Sequence, residues 1–216
     1  MVKRRQFLST GAKIIPGLIL FLNPVFGGFT TILARVKKTV LPRETNLSSL
    51  VGKNPENYDI TNLDPTPLKR FATMGRTEYE VDLANWHLTI KGQVSRSIVL
   101  TYEEMLAMPS VEKKLLLTCP GFFSQVGIWK GIDMKELLLK AGIKGEGGAI
   151  TFSCPFDGQI KNRKSFPREQ VLANRVFLAY GINGDTLPKK HGFPLRVVAE
   201  GAYGGNWIKY VDTVEV

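Results

Sequence analysis

Two stretches of this 216-residue chain carry side chains that could do chemistry. The first runs from Leu115 to Gly131 and reads LLLTCPGFFSQVGIWKG. Three leucines and a threonine lead into Cys119, a Pro-Gly pair turns the chain, and Phe122 and Phe123 follow. This spacing places a thiol at the end of a buried strand, where a soft sulfur donor on a rigid element suits a soft or borderline metal. A core cysteine beside a turn is the plainer alternative, because free cysteine is among the most buried residue types. The second stretch, HGFPLRVVAEGAYGGNWIK from His191 to Lys209, gathers histidine, arginine and lysine around apolar segments. The chain has two histidines and two cysteines, too few for an expected zinc site. It shows no Gly-rich phosphate loop, no CxxC pair and no Ser-His-Asp spacing.

The elements that must position these residues begin at Trp86. Trp86, Leu88 and Ile90 alternate with His87, Thr89 and Lys91, the period of a half-buried strand, and His87 falls on its solvated side. Ile98 to Leu100 is a second strand. Thr101 with Glu104 forms a capping box for a helix that Pro109 stops. Lys113 to Thr118 is the strand that delivers Cys119, and Trp129-Lys130-Gly131 leads into the next helix. Asp133 and Glu136 suggest a capping box for that helix. Met134, Leu137, Leu138 and Ala141 give it an apolar face, and Gly142 ends it. Strands are predicted over Ala149–Cys154, Val176–Ile182, Leu195–Ala199 and Ile208–Val216, with a short helix over Pro167–Ala173. Asn183-Gly184 is a hairpin signal. Many short strands with a few short helices define an α+β domain, its strands too close together for regular βαβ units. Thr39 to Pro67 is polar and rich in Asn, Pro and Asp, and reads as an extended arm. The division is therefore a leader over 1–34, an arm over 35–70 and a domain over 71–216.

The net charge of +10 is not a nucleic-acid signature. Eight basic residues precede the first acid, Glu44; without them the 29 bases fall to 21, against 19 acids. The body is close to neutral and has no basic patch interleaved with aromatics. In the leader, Arg4-Arg5 followed by Gln6-Phe7-Leu8 matches the twin-arginine export pattern. Ile14 to Ala34 carries no charge and is about long enough to cross a bilayer. Membrane attachment through residues 14–34 thus stands beside cleavage as an outcome. The expected location is periplasmic, or otherwise outside the cytoplasm. Twin-arginine export carries folded proteins, commonly ones that have taken up a cofactor beforehand.

In order and content these elements resemble the molybdopterin-binding domain of the sulfite oxidase family, and within it the small bacterial branch that includes the periplasmic methionine-sulfoxide reductase catalytic subunit. The resemblance covers Phe71 to Val216 and rests on WHLTIKGQV (Trp86–Val94), on Leu117 to Gly131, and above all on HGFPLRVVAEGAYGGNWIK. It implies that fold, with mixed sheets, a barrel-like core and short peripheral helices. It also implies molybdopterin as cofactor, with Cys119 as the only protein ligand to molybdenum and the pterin dithiolene supplying the other sulfurs. His191, Arg196 and Lys209 match positions that hold the pterin and its phosphate, and Trp207 and Ile208 would offer backbone amides. Arg196 interrupts an apolar run, Leu195-Arg196-Val197-Val198, which favours a buried anionic partner for this long basic side chain over a surface ion pair. Thr73 and Met74 are expected to border the cofactor, and Cys154 stands where the reductase branch has a cofactor-contacting threonine.

The resemblance implies two-electron oxygen-atom transfer on a small-molecule substrate. The residues after Cys119 supply no cation, whereas sulfite, a dianion, needs cations at the metal. An apolar mouth built by Phe122 and Phe123 favours an S- or N-oxide, reduced with electrons from a separate protein, because the body has no haem domain. A membrane haem or quinol-linked subunit is the expected donor. Sulfite oxidation remains the alternative if Arg70, Arg76 or Arg163 reaches the site. A further alternative is a non-catalytic exported binding module stapled by a Cys119–Cys154 disulfide.

Overall fold

The computed structural model describes residues 37–154 and 162–216. These lie within one compact unit, Val36–Val216. The leader, with Arg4-Arg5 and the apolar run 14–34, lies outside the described residues. Among those described, no helix is long and apolar enough to cross a membrane.

In chain order the elements are β1 (Thr39–Val40), β2 (Tyr58–Asp59), β3 (Leu88–Lys91), β4 (Ile98–Leu100), α1 (Tyr102–Leu106), β5 (Ser110–Cys119), β6 (Phe123–Ile132), α2 (Met134–Ala141), β7 (Ala149–Ser153), β8 (Arg163–Pro167), α3 (Arg168–Leu172), β9 (Val176–Ile182), β10 (Asp185–Thr186), β11 (Arg196–Ala199) and β12 (Thr213–Glu215). One five-stranded sheet runs β10-β9-β6-β5, with β11 also on β9; the other runs β4-β3-β12-β7-β8. The pairing of β3 with β12 is parallel and the other pairs within these two sheets are antiparallel. The α+β class is observed, with mixed sheets and few, short helices.

Local chemistry sets the helix ends. The α1 capping box forms in both directions: Glu104 N–H donates to Thr101 Oγ1 (3.2 Å) and Thr101 N–H to Glu104 Oε2 (2.9 Å). At α2, Asp133 accepts from the amides of Lys135 and Glu136, but the reciprocal Glu136 bond is not formed among the described residues. Asn174 instead donates to Asp133 from α3's far end (2.9 Å), tying the two helices together. Met134, Leu137, Leu138 and Ala141 are fully buried, as their spacing requires. Gly142 closes α2 in the left-handed region, φ 68°.

Three expectations are corrected. Phe123 to Ile132 is a strand, where the sequence suggested a turn running into a helix. Pro120-Gly121 closes a hairpin, with Phe122 N–H donating to Cys119 O (3.0 Å). Second, β8 was not expected. Third, of Ile208–Val216 only Thr213–Glu215 is a strand; Tyr210, at φ 61°, takes the chain out of extended geometry, leaving a single bridge between Lys209 and Arg196. The arm is extended with short 3₁₀ turns, yet it has its own apolar contacts. Leu41, Leu50 and Leu63 pack with Leu116 and Val126 on one face of the β5–β6 hairpin. The other face joins the main core around Trp129, Phe177 and Leu178.

Candidate active site

The β5–β6 hairpin sets the position of the thiol. Cys119 is the last residue of β5 and pairs with Phe123 across the turn. One register step inward, Ser124 Oγ donates to Thr118 Oγ1 (3.2 Å) in a buried contact that holds the tip together. Gly204 lies opposite. A Cβ there would collide with Cys119 Sγ and come within 3.1 Å of Leu117 Cδ1, so only glycine lets this backbone pass so close to the sulfur.

Around Cys119 is a cavity of about 570 Å³. Its walls come from Thr73, Met74, Gly75, Arg76 and Tyr79; from Leu117, Cys119, Pro120, Phe122 and Phe123; from Cys154 and Asn162; and from Arg196, Gly204, Gly205, Trp207, Ile208, Lys209 and Tyr210. The structure therefore brings together Cys119, Thr73, Met74, Cys154, Arg196, Trp207, Ile208 and Lys209 from five separate segments. It does not bring His191 to the wall. That residue is fully buried, its ring edge-on to Phe71 at 5.6 Å, with neither ring nitrogen hydrogen-bonded. His87 lies within hydrogen-bonding distance of Asn85 O (3.0 Å) and is not part of the cavity lining.

Arg196 is the electrostatic centre. It is buried, donates from Nη1 to His191 O (3.0 Å) and from Nη2 to Trp207 O (3.1 Å), and lies 5.0 Å over the Trp129 ring. Its Nε has no partner, and no carboxylate pairs with it among the described residues. Burial pulls its pKa down to about 10, so it remains a cation at neutral pH. Burial, and then the Arg196 charge, bring Lys209 down to about 8. His191 falls to about 4 through burial and its cationic neighbours, and is neutral at pH 7. Burial raises the Cys119 thiol, against a smaller opposing pull from Arg196 and Lys209. The buried, uncompensated Arg196 with the half-buried Lys209 near it fits an anion.

Lys209 is more than an anion donor. Its Nζ donates to Arg76 O and Lys190 O, both at 2.8 Å, leaving one of its three N–H groups for a ligand. Gly192, at φ 112°, makes room for its stem, since a Cβ there would lie 2.9 Å from Lys209 Cβ. Of the two amides expected from Trp207 and Ile208, the Trp207 N–H donates to Gly204 O (3.0 Å) in the turn that carries the two glycines. The disulfide alternative is not formed: Cys119 and Cys154 are not bonded to each other. Gly204, Tyr79 and Tyr210 escaped the sequence reading. The Gly204-Gly205 pair was the available signal, because adjacent glycines between strands mark a close backbone approach.

The donor set also tests for a metal. Among the described residues no three His, Cys, Asp or Glu side chains converge on a metal position. Among these residues a metal bound at Cys119 finds no such set, so further ligands would come from a non-protein group. A cofactor with its own sulfurs and an anionic tail meets both the single thiol and the uncompensated cations.

Comparison with known proteins follows the same line. The family model described as "Oxidoreductase molybdopterin binding domain" matches residues 74–216. The uncharacterized oxidoreductase YuiH of Bacillus subtilis (strain 168) is 29% identical over 173 residues, covering 78% of this chain and 83% of that protein. Nitrate reductase [NADH] 1 of Arabidopsis thaliana is 27% identical over 213 residues, covering 82% of this chain but only 23% of the relative. The crystal structure of the sulfane dehydrogenase SoxCD from Paracoccus pantotrophus superposes with a TM-score of 0.58 over 93% of this chain and 55% of that chain, at 23% identity, a likeness of fold.

Proposed function

The chain belongs to the oxidoreductase molybdopterin-binding family, and from that premise we propose that it is an exported reductase of S- or N-oxides fed by a separate electron-transfer protein. It is an oxidoreductase whose cofactor is molybdopterin with molybdenum. When bound, that group supplies two-electron oxygen-atom transfer. The net reaction takes the substrate oxygen to water with two electrons and two protons.

The chain's own residues bind, orient and exclude water. Cys119 would hold the metal as a thiolate, in a position that Gly204 leaves room for. Arg196, with Lys209, would hold the anionic end of the cofactor. Met74, 43% exposed, and Phe122, 67% exposed, stand at the mouth with Phe123 beside them. The observation that carries the reading is this apolar rim beside a thiol whose neighbouring cations, Arg196 and Lys209, are assigned above to the anionic end of the cofactor. A neutral oxide with an apolar body loses little on entering such a mouth, whereas a small dianion loses its hydration. The nitrate reductases among the relatives, named for the reduction of a nitrogen oxide, support the reductive direction.

Sulfite oxidation is the second reading, and one observation favours it. Of the three arginines that could have supplied a cation, Arg70 and Arg163 do not line the cavity but Arg76 does, its guanidinium 4.9 Å over the Tyr79 ring. Steady-state assays separate the two. Turnover of methyl sulfoxides or N-oxides with a reduced dye, without sulfite-dependent reduction of an acceptor, is expected. Efficient sulfite oxidation with no oxide turnover would overturn the first reading. Export rests on Arg4-Arg5. Replacing both with lysine should leave the protein in the cytoplasm, and unchanged export would refute that route. Fractionation into soluble and membrane pools shows whether residues 14–34 stay attached as an anchor to a membrane haem or quinol-linked partner.

A further inference from the structure

One cavity wall hangs from the same strand pair that presents the thiol. The segment 70–76 contributes Thr73, Met74, Gly75 and Arg76 to the cavity and carries no strand of its own. At its far end it is held by Lys209 Nζ and Tyr210 Oη, both donating to Arg76 O (2.8 and 3.1 Å). In the middle, Thr73 Oγ1 reaches Lys190 O at 3.3 Å. At its near end Phe71 is buried edge-on to Trp129 and His191, and one side chain ties down the backbone on either side of it. Gln125, buried on β6, accepts from Ala72 N–H through Oε1 (3.0 Å) and donates from Nε2 to Arg70 O (3.1 Å). The two partners, an amide donor and a carbonyl acceptor, fix which way the Gln125 amide points. Gln125 is registered opposite Leu117, two residues before Cys119 on β5.

We propose that Gln125 is a positioning residue that locks the wall bearing Thr73 and Met74 to the hairpin bearing Cys119, and so sets the distance between the thiol and the substrate-facing side of the cavity. A primary amide is suited to this place. Leucine fills similar space with neither bond, and a carboxylate keeps the acceptor but loses the donor. The wall's part in substrate binding rests on the reductase reading above; its attachment to the hairpin does not.

The test uses the full-length, cofactor-loaded protein with Gln125→Leu, and Ser124→Ala as the control on the same strand. In Gln125→Leu, hydrogen exchange of the amides of residues 72–75 should quicken about tenfold or more, the scale of a lost buried hydrogen bond. Exchange at 115–118 and 126–128 should be unchanged. Ser124→Ala should leave 72–75 as in the wild type. In turnover, Gln125→Leu should raise KM for the oxide while kcat per bound molybdenum holds. Unchanged exchange at 72–75, or equal quickening in the hairpin, overturns the proposal by showing a neutral or a merely structural role. Should Gln125→Leu fail to fold, Gln125→Asn, one methylene short of both backbone groups, carries the same expectations. If no oxide is turned over, the reductase reading fails while the exchange result still decides the attachment.

Discussion

A single methyl group at Gly204 should disable the site, and a methyl group at Gly205 should leave the fold as stable as it is in the wild type. In Gly204→Ala the new Cβ overlaps Cys119 Sγ and presses on Leu117 Cδ1 at 3.1 Å and Thr118 O at 3.4 Å. The backbone of Cys119 cannot retreat, because its strand is paired along its length and the Thr118–Ser124 bond holds the tip, so the sulfur escapes only by leaving its rotamer and with it the position of a metal ligand. Overpacking of this kind costs about 1–3 kcal/mol. For a domain of this size that is roughly 2–4 °C of Tm per kcal/mol. The larger effect falls on function, since misplacing a reacting group by about 1 Å can cost on the order of 10²-fold in rate. At Gly205 no protein atom lies within 4 Å of the added Cβ, so Gly205→Ala should melt like the wild type. The assay is kcat per bound molybdenum beside thermal unfolding for both variants. Wild-type turnover in Gly204→Ala, or equal losses of Tm in the two, would refute the close approach of backbone and thiol.

Further expectations follow from the same geometry. Cys119→Ser should abolish turnover while pterin content stays near wild type, because the cationic contacts remain; full activity would remove Cys119 from the metal. Arg196→Ala should yield cofactor-depleted protein, since truncating one partner of a buried charge pair typically costs about 3–5 kcal/mol; normal pterin loading would contradict it. In cofactor-free protein, His191 has a folded pKa of about 4 against 6.5 unfolded, so the unfolded chain binds the proton more tightly. Its contribution to stability is therefore lost as pH falls from about 6.5 to 4, on the order of 3 kcal/mol. Tm measured across that range should fall less steeply in His191→Gln than in the wild type, and parallel curves would rule the effect out.

The site was legible where its chemistry depends on residue type and failed where it depends on backbone approach. Cys119 at a strand end and Arg196 in an apolar strand each break a local rule, and both lie on the cavity. His191 broke no pattern that shows burial, and its ring turned out to lie behind Phe71. The hairpin's second strand was missed because both faces of β6 are covered, one by the arm's Leu41, Leu50 and Leu63 and one by the main core, which erases the alternation that marks a half-buried strand. Ile208–Val216 looked like one strand because its apolar content does not reveal the positive φ of Tyr210. The helix faces and caps were read more closely, since spacing and capping chemistry are local. The exception was Glu136, whose place at the Asp133 cap is taken by Asn174 from a distant segment.

The central claim is that this cavity holds a molybdenum cofactor on Cys119 and the Arg196 cation. Metal and pterin content of protein purified from a molybdenum-replete host tests it most directly. The account predicts molybdenum and pterin each stoichiometric with the chain, and both cysteines as thiols once the cofactor is removed. Folded, active protein without molybdenum, or with a Cys119–Cys154 disulfide, would contradict it.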